Sequence, residues 1–377
     1  MKPSKILFVV TEDWYFCSHR LPLAIAAKTA GHDVAVATRL TSHKALIEQA
    51  GVRIIPLQRM SRSSLNLIRE LSSLIELFVI YRRERPDVVH HVALKPVIYG
   101  SVTARLVGVP ARVNALGGLG FVFSSPKLLA RILRPILIKA FQVICNDRHS
   151  RLILQNLDDV AVVTEKAGVN STQVRLIRSA GVDLNQYHIQ PLLLGIPVVM
   201  LASRMLWDKG IGEFVEAAAL LHRQGVSARF VLVGDPDTEN PSSVSREQLQ
   251  QWHDSGVIEW WGYRNDMPAV LSQARIVCLP SYYGEGIPKI LIEAMACARP
   301  IVTTDMPGCR DLVRSNKNGM LVPPKNAANL AMALKTLLLN ISMCRQMGED
   351  GRKIAEEDYA LTRVIEETMA VYTELID

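Results

Sequence analysis

Ser281–Ile301 reads SYYGEGIPKILIEAMACARPI, and the fold follows from it. The apolar run Ala274–Pro280 precedes this stretch, and Pro300–Thr304 closes it. Both runs are short, apolar and bounded by turn residues, the pattern of a buried strand. Between them a loop with two glycines gives way to a helical pattern over Pro288–Ala298. Proline suits a first helical turn, where its missing N–H is no loss. Strand, loop, helix and strand in this order make a βαβ unit and a parallel sheet.

The alternation extends in both directions. Further strand candidates in the second half are Pro197–Ala202, Ala228–Val233, Val257–Trp261 and Met320–Val322. Helical stretches Gly212–Gln224 and Asn326–Leu339 belong to the same series. In the first half the candidates are Lys5–Val10, Asp33–Thr38, Val52–Pro56, Asp87–His91, Ala111–Ala115, Gln142–Asn146 and Gln173–Ile177. Amphipathic segments such as Arg20–Ala30 and Ser63–Arg85 lie between them. Ser179–Gly195 (SAGVDLNQYHIQPLLLG) has no period and reads as a junction. The length of 377 residues suits two domains, so two α/β units in tandem are expected. Ala355–Asp377 reads as a closing acidic helix.

Composition narrows the class. Hydrophobic residues make up 49% and charged residues 21%, a globular balance. The net charge of +7 is unevenly placed: residues 1–190 hold 25 basic and 13 acidic groups, residues 191–377 hold 18 and 23. A basic half is expected to face something anionic. Nucleic acid is not expected, because no basic patch interleaves with exposed aromatics and no helix-turn-helix pattern occurs. Ser125–Cys145 (SPKLLARILRPILIKAFQVIC) joins Leu128, Leu129, Ile132, Leu133, Ile136, Leu137 and Ile138 to Lys127, Arg131, Arg134 and Lys139 without an acid. Such a basic amphipathic helix can lie on an anionic bilayer, although Pro135 can break it in two. Ile6–Val10 is too short for a signal sequence and reads as a strand, and no run of 18 apolar residues occurs. A cytoplasmic protein, peripheral on the inner face of the cell membrane, is therefore expected. Its six cysteines form no CxxC pair and read as buried free thiols.

Two segments carry chemistry. Ser203–Gly210 (SRMLWDKG) follows a buried strand and holds Arg204 and Lys209. Loops at the carboxyl ends of strands are where open α/β sheets bind ligands, and two cations there suit a diphosphate. In Ser281–Ile301, Glu285 stands in the loop and Glu293 two turns down the helix. The helix N-terminus is expected to offer the amides of Gly286, Ile287 and Lys289 to a phosphate. A carboxylate beside it can hold hydroxyls, and the second can reach a vicinal diol. Asp235-Pro-Asp237 is a literal D-x-D, read here as a turn rather than a metal site.

GEGIPKILIEAMACARPIVTTDMPGCRDLV, with ASRMLWDKG upstream, resembles the donor half of family 4 of the retaining glycosyltransferases, GT4, which have the GT-B fold. NGMLVP at Asn318–Pro323 resembles the loop before the closing helices. In the first half, FCSHRLPLAIAAKTAGHDV resembles the family's first loop and helix, and DVVHHVALKPVIYGSVTARLVGVP and NALGGLGFVF resemble the bacterial branch acting on polyprenyl-diphosphate-linked sugars. The resemblance implies two Rossmann-like domains facing across a cleft. Residues 1–190 would be the acceptor side, 191–360 the nucleotide-sugar side, and 361–377 a helix packing back on the first domain. Arg204 and Lys209 would neutralise the leaving diphosphate, Glu285 would hold sugar hydroxyls and Glu293 ribose hydroxyls. His91, Lys95, Gly118 and Gly120 would lie on the acceptor side. Many relatives carry a histidine after the fifth strand, where Leu116 stands here with Asn114 nearby.

The implied reaction moves a hexose or N-acetylhexosamine from a nucleotide diphosphate sugar, uridine being the expected base, to a lipid-linked saccharide. It would need neither metal nor cofactor, and would serve bacterial surface glycan assembly. Two alternatives share the architecture: a nucleotide-sugar 2-epimerase, and a non-catalytic scaffold that binds nucleotide sugars. Products formed from donor alone separate them: an epimer, slow hydrolysis, or nothing.

Overall fold

The computed structural model describes residues 3–62, 66–119, 128–314 and 317–376. The chain divides into two compact units, one of Met1–Ala180 with Thr362–Asp377 and one of Gly181–Leu361. The sequence placed the border at 190, but it falls at Ala180. The reason is that Val182 already belongs to the second unit, where it bridges Ala360 in parallel. The bridge falls where the expected closing helix Ala355–Asp377 is interrupted: its first residues end the helix Ile341–Asp358, and the rest forms Leu361–Ile376.

The first unit is a seven-stranded sheet in the order β3-β2-β1-β4-β5-β6-β7. The strands are β1 Lys5–Glu12, β2 Asp33–Arg39, β3 Arg53–Pro56, β4 Val88–Val92, β5 Ala111–Ala115, β6 Ser150–Leu154 and β7 Val174–Leu176. Every pairing is parallel. β1 (KILFVVTE) is buried along nearly its whole length, as a strand covered on both faces must be.

One strand was misread. Gln142–Asn146 is not a strand: Gln142–Cys145 ends the helix Leu128–Cys145, and the sheet's next strand is β6. Phe141, Ile144 and Cys145 point into the core at helical spacing. A short apolar run cannot show which period it follows. Pro135 sits inside this helix without dividing it.

The second unit is a six-stranded parallel sheet, β10-β9-β8-β11-β12-β13. Its strands are β8 Val198–Ala202, β9 Arg229–Val233, β10 Glu259–Trp260, β11 Ile276–Leu279, β12 Ile301–Thr304 and β13 Gly319–Val322. The fold class read from the sequence is the one observed: two Rossmann-like parallel sheets. In each, strand order reverses once, beside β1 and beside β8. All six cysteines are free thiols, five of them buried. Among the described residues no single helix is long and apolar enough to cross a membrane.

The first unit encloses two histidines on β4. His90 and His91 are both fully buried. His90 Nδ1 meets Tyr372 Oη at 2.6 Å, on the helix Leu361–Ile376. His91 is held by Tyr81 Oη and by Asn114 Oδ1, each at 2.8 Å. Burial pushes His91 from the ordinary 6.5 down to about 4, and pushes His90 well below its ordinary value too. The unfolded chain therefore takes up protons below pH 6.5 that the folded chain refuses until about pH 4. The first unit should lose stability as pH falls through that window. Denaturant unfolding of His91→Gln should show a shallower loss over the same range; an unaltered slope contradicts it.

Candidate functional site

The reversal beside β8 gathers the second unit's charged loops. β8 pairs with β9 on one side and β11 on the other, so the loops after β8 and β11 diverge from neighbouring strand ends. Ligands sit at such switch points in open α/β sheets. The loop after β8 is laced to the one after β9: Met205 N donates to Asp235 O at 3.0 Å and Trp207 N to Ser242 O at 2.8 Å. The loop after β11 is fastened to it from the other side. Tyr282 N donates to Asp208 O at 3.1 Å, and Ser281 Oγ lies 3.1 Å from the same oxygen.

These links bring Lys209 and Glu285 into an ion pair, with Ser281 Oγ donating to Glu285 Oε1 at 3.0 Å. Both side chains are mostly sheltered, at 16% and 13% exposure. A pair so placed interacts through less water than a surface pair and keeps a fixed geometry. Arg204 stands further out at 42% exposure, bonded to Asp237 at 2.6 Å. The Asp235–Asp237 turn thus supplies a carboxylate that orients Arg204.

The helix behind the loop differs in detail from the expectation. It spans Lys289–Ala296, with Pro288 as the cap residue before it. Of the three expected amides, only that of Lys289 lies in the first turn. Glu293 is 5% exposed, and its Oε1 accepts from Lys289 Nζ at 2.5 Å. It also bonds the buried Tyr187, whose hydroxyl it helps to keep protonated. A diol reaching Glu293 meets a carboxylate already engaged by Lys289 and Tyr187.

The sequence reading missed Ser281 and Gly308, and read Asp237 as part of a turn without its bond to Arg204. Gly308 follows β12 at φ 79°, and a Cβ there would stand 1.6 Å from Gly286 O. This close approach seats the Glu285 loop, with Glu285 N donating to Pro307 O at 3.3 Å. The signal was present as the glycine of MPGCRD. Burial lifts the neighbouring Cys309 thiol to about 12, so it stays protonated at neutral pH.

Of the four expected acceptor-side residues, three are described. His91 is corrected to a structural residue, because it is fully buried with both ring nitrogens bonded. Lys95 is 19% exposed and already bonds Glu70 Oε1 and Ser61 O, each at 2.8 Å. Gly118 is a positive-φ glycine after β5, and Gly120 lies outside the described residues. Leu116, at the position where the resemblance led to the expectation of a histidine, is 1% exposed in the core.

Two family models match the chain, one on each unit. Residues 5–156 match the "Glycosyl transferase 4-like" family, and residues 196–340 match "Glycosyl transferases group 1". The chain belongs to the GT4 glycosyltransferases. This GT4 chain is 27% identical over 356 residues to the N,N'-diacetylbacillosaminyl-diphospho-undecaprenol alpha-1,3-N-acetylgalactosaminyltransferase of Campylobacter jejuni, covering 89% of this chain and 91% of that one. It is 25% identical over 312 residues to the UDP-Gal:alpha-D-GlcNAc-diphosphoundecaprenol alpha-1,3-galactosyltransferase of Escherichia coli, covering 78% of each. Among solved structures, Anabaena HepE in complex with UDP and glucose superposes with a TM-score of 0.79 at 18% identity, over 98% of this chain and 99% of that one. The shared fold is GT-B.

Gly308→Ala should displace the Glu285 loop and cost about 2–4 kcal/mol, the range for forced strain at a positive-φ, closely approached glycine. Thermal unfolding would register it in the second unit; an unmoved midpoint contradicts the seating role.

Proposed function

We propose that this glycosyltransferase moves a hexose or N-acetylhexosamine from a UDP-sugar to a saccharide carried on a polyprenyl diphosphate, with retention of configuration. The sheltered Lys209–Glu285 pair at the switch point carries the reading. The two named relatives support it, since each name specifies a diphosphate-linked undecaprenyl acceptor. The HepE complex supports a uridine donor by analogy of fold.

In this reading the donor diphosphate lies against Lys209, with Arg204 at the outer rim. The bond from the sugar's anomeric carbon to the β-phosphate oxygen breaks, and negative charge grows on that oxygen. Fixed cations placed there stabilise the transition state more than the ground state. The acceptor hydroxyl attacks from the same face, and its proton passes to the departing phosphate oxygen. Glu285 accepts hydrogen bonds from sugar hydroxyls, and Ser281 holds the carboxylate in place. Glu293 would take the ribose hydroxyls, and the Gly286–Lys289 segment would line the phosphate. The lipid acceptor puts the reaction at the inner face of the cell membrane. Helix Leu128–Cys145 supports contact with an anionic surface there, exposing Ile132 and Ile136 at 57% and 63% beside Arg131 and Lys139.

Lys209→Ala should lower kcat about 100-fold or more with chelator present, the scale of losing one preorganised charge contact. Glu285→Gln should lower kcat/KM for the sugar while UDP still binds. Mass spectrometry of the lipid product measures both. Unchanged turnover, or an epimerised sugar nucleotide as sole product, would overturn the reading.

A further inference from the structure

We propose that the first unit holds the acceptor's prenyl diphosphate in a pocket of three arginines and an adjoining apolar groove; this rests on the lipid-linked acceptor just inferred. Arg39 ends β2, Arg59 follows β3 and Arg69 lies in the first turn of the helix Leu67–Glu84. Together they line a pocket of about 260 Å³ at the carboxyl edge of the sheet. Ser61 lines it too, and its Oγ is buried with no hydrogen-bond partner among the described residues. A buried orphan hydroxyl beside three guanidinium groups wants an acceptor-rich ligand. Arginine forks match phosphate oxygens two at a time.

The loop that carries Arg59 and Ser61 is held from outside. Glu76 accepts from the backbone N–H groups of Gln58, Arg59 and Met60 at 2.7, 3.0 and 3.3 Å. Lys95 donates to Ser61 O at 2.8 Å. Lys95, expected to touch the acceptor, instead positions this loop. Arg39 is oriented by Glu12 at 3.0 Å.

The pocket runs into an open groove of about 570 Å³, the two sharing Gln58, Arg59 and Ser72. Ile55, Pro56, Ile75, Val79 and Ile80 supply its apolar wall. Glu76 also lines it, but its charge is met by the three loop N–H donors. The helix continues this apolar surface outward: Ile68, Leu71, Ile75 and Val79 form one stripe at 80%, 59%, 57% and 55% exposure. Its other two acids are paired, Glu70 with Lys95 and Glu84 with Lys5 and Arg53. A cationic pocket joined to an uncovered apolar groove fits a headgroup of two phosphates with an isoprenoid tail.

Isothermal titration of the full chain with farnesyl diphosphate tests this without turnover. The intact protein should bind it, and bind farnesol and inorganic diphosphate far less. Arg59→Ala with Arg69→Ala should weaken binding about tenfold or more, since a charge-assisted bond is worth about 1.5–3 kcal/mol. Ile75→Asp should weaken it similarly. Both variants alter exposed side chains, should keep the thermal midpoint, and should bind UDP unchanged. Equal affinity in the variants, equal affinity for inorganic diphosphate, or displacement by UDP overturns the proposal. Arginine-dependent binding of farnesyl diphosphate with no UDP binding supports this site and contradicts the donor reading instead.

Discussion

The Lys209–Glu285 pair exists because strand order reverses beside β8. Neighbouring crossovers in a parallel sheet leave on the same side until the order turns. At that one place two loops part and leave room above the strand ends. Both loops are then free to carry charge, provided something keeps them in register. Here the fastening is backbone and hydroxyl chemistry: Ser281 and Tyr282 on the Asp208 carbonyl, and Gly308 against Gly286. Opposite charges placed at that depth reinforce the geometry, and a diphosphate entering there finds a cation already positioned.

The first unit uses the same architecture with another distribution of charge. Its acids are largely consumed internally: Glu84 by Lys5 and Arg53, Glu374 by Arg151 and Arg175, Glu76 by three backbone donors. What remains outward is apolar or cationic along the helices Leu67–Glu84 and Leu128–Cys145. The excess of positive charge in residues 1–190 is therefore a surface property rather than a bulk one. Under the proposed function, a nucleotide-sugar donor and a lipid-borne acceptor would give each kind of unit its own use.

Much of this was legible in the sequence. Parallel strands buried on both faces read as unbroken apolar runs, so twelve of the thirteen strands lay within a residue or two of their expected places. The exception is β6, whose SRLIL was passed over for the end of a helix. Arg204, Lys209 and Glu285 were visible because each sits in a loop after a recognisable strand. Ser281, Gly308 and the bond of Asp237 to Arg204 were not, because these contacts join loops far apart in the chain. Arg39, Arg59 and Arg69 escaped for the same reason, coming from three segments that only the sheet edge unites. His91 was misplaced because alternation along β4 does not say which neighbours close over a side chain.

Hydrogen exchange on the full chain, with and without saturating UDP-sugar, addresses the donor site most directly. Slowed exchange in the loops Ser203–Gly210 and Ser281–Lys289 is the predicted result, reduced by Lys209→Ala. Bound nucleotide sugar that leaves both loops unprotected would contradict the assignment of this switch point as the donor site.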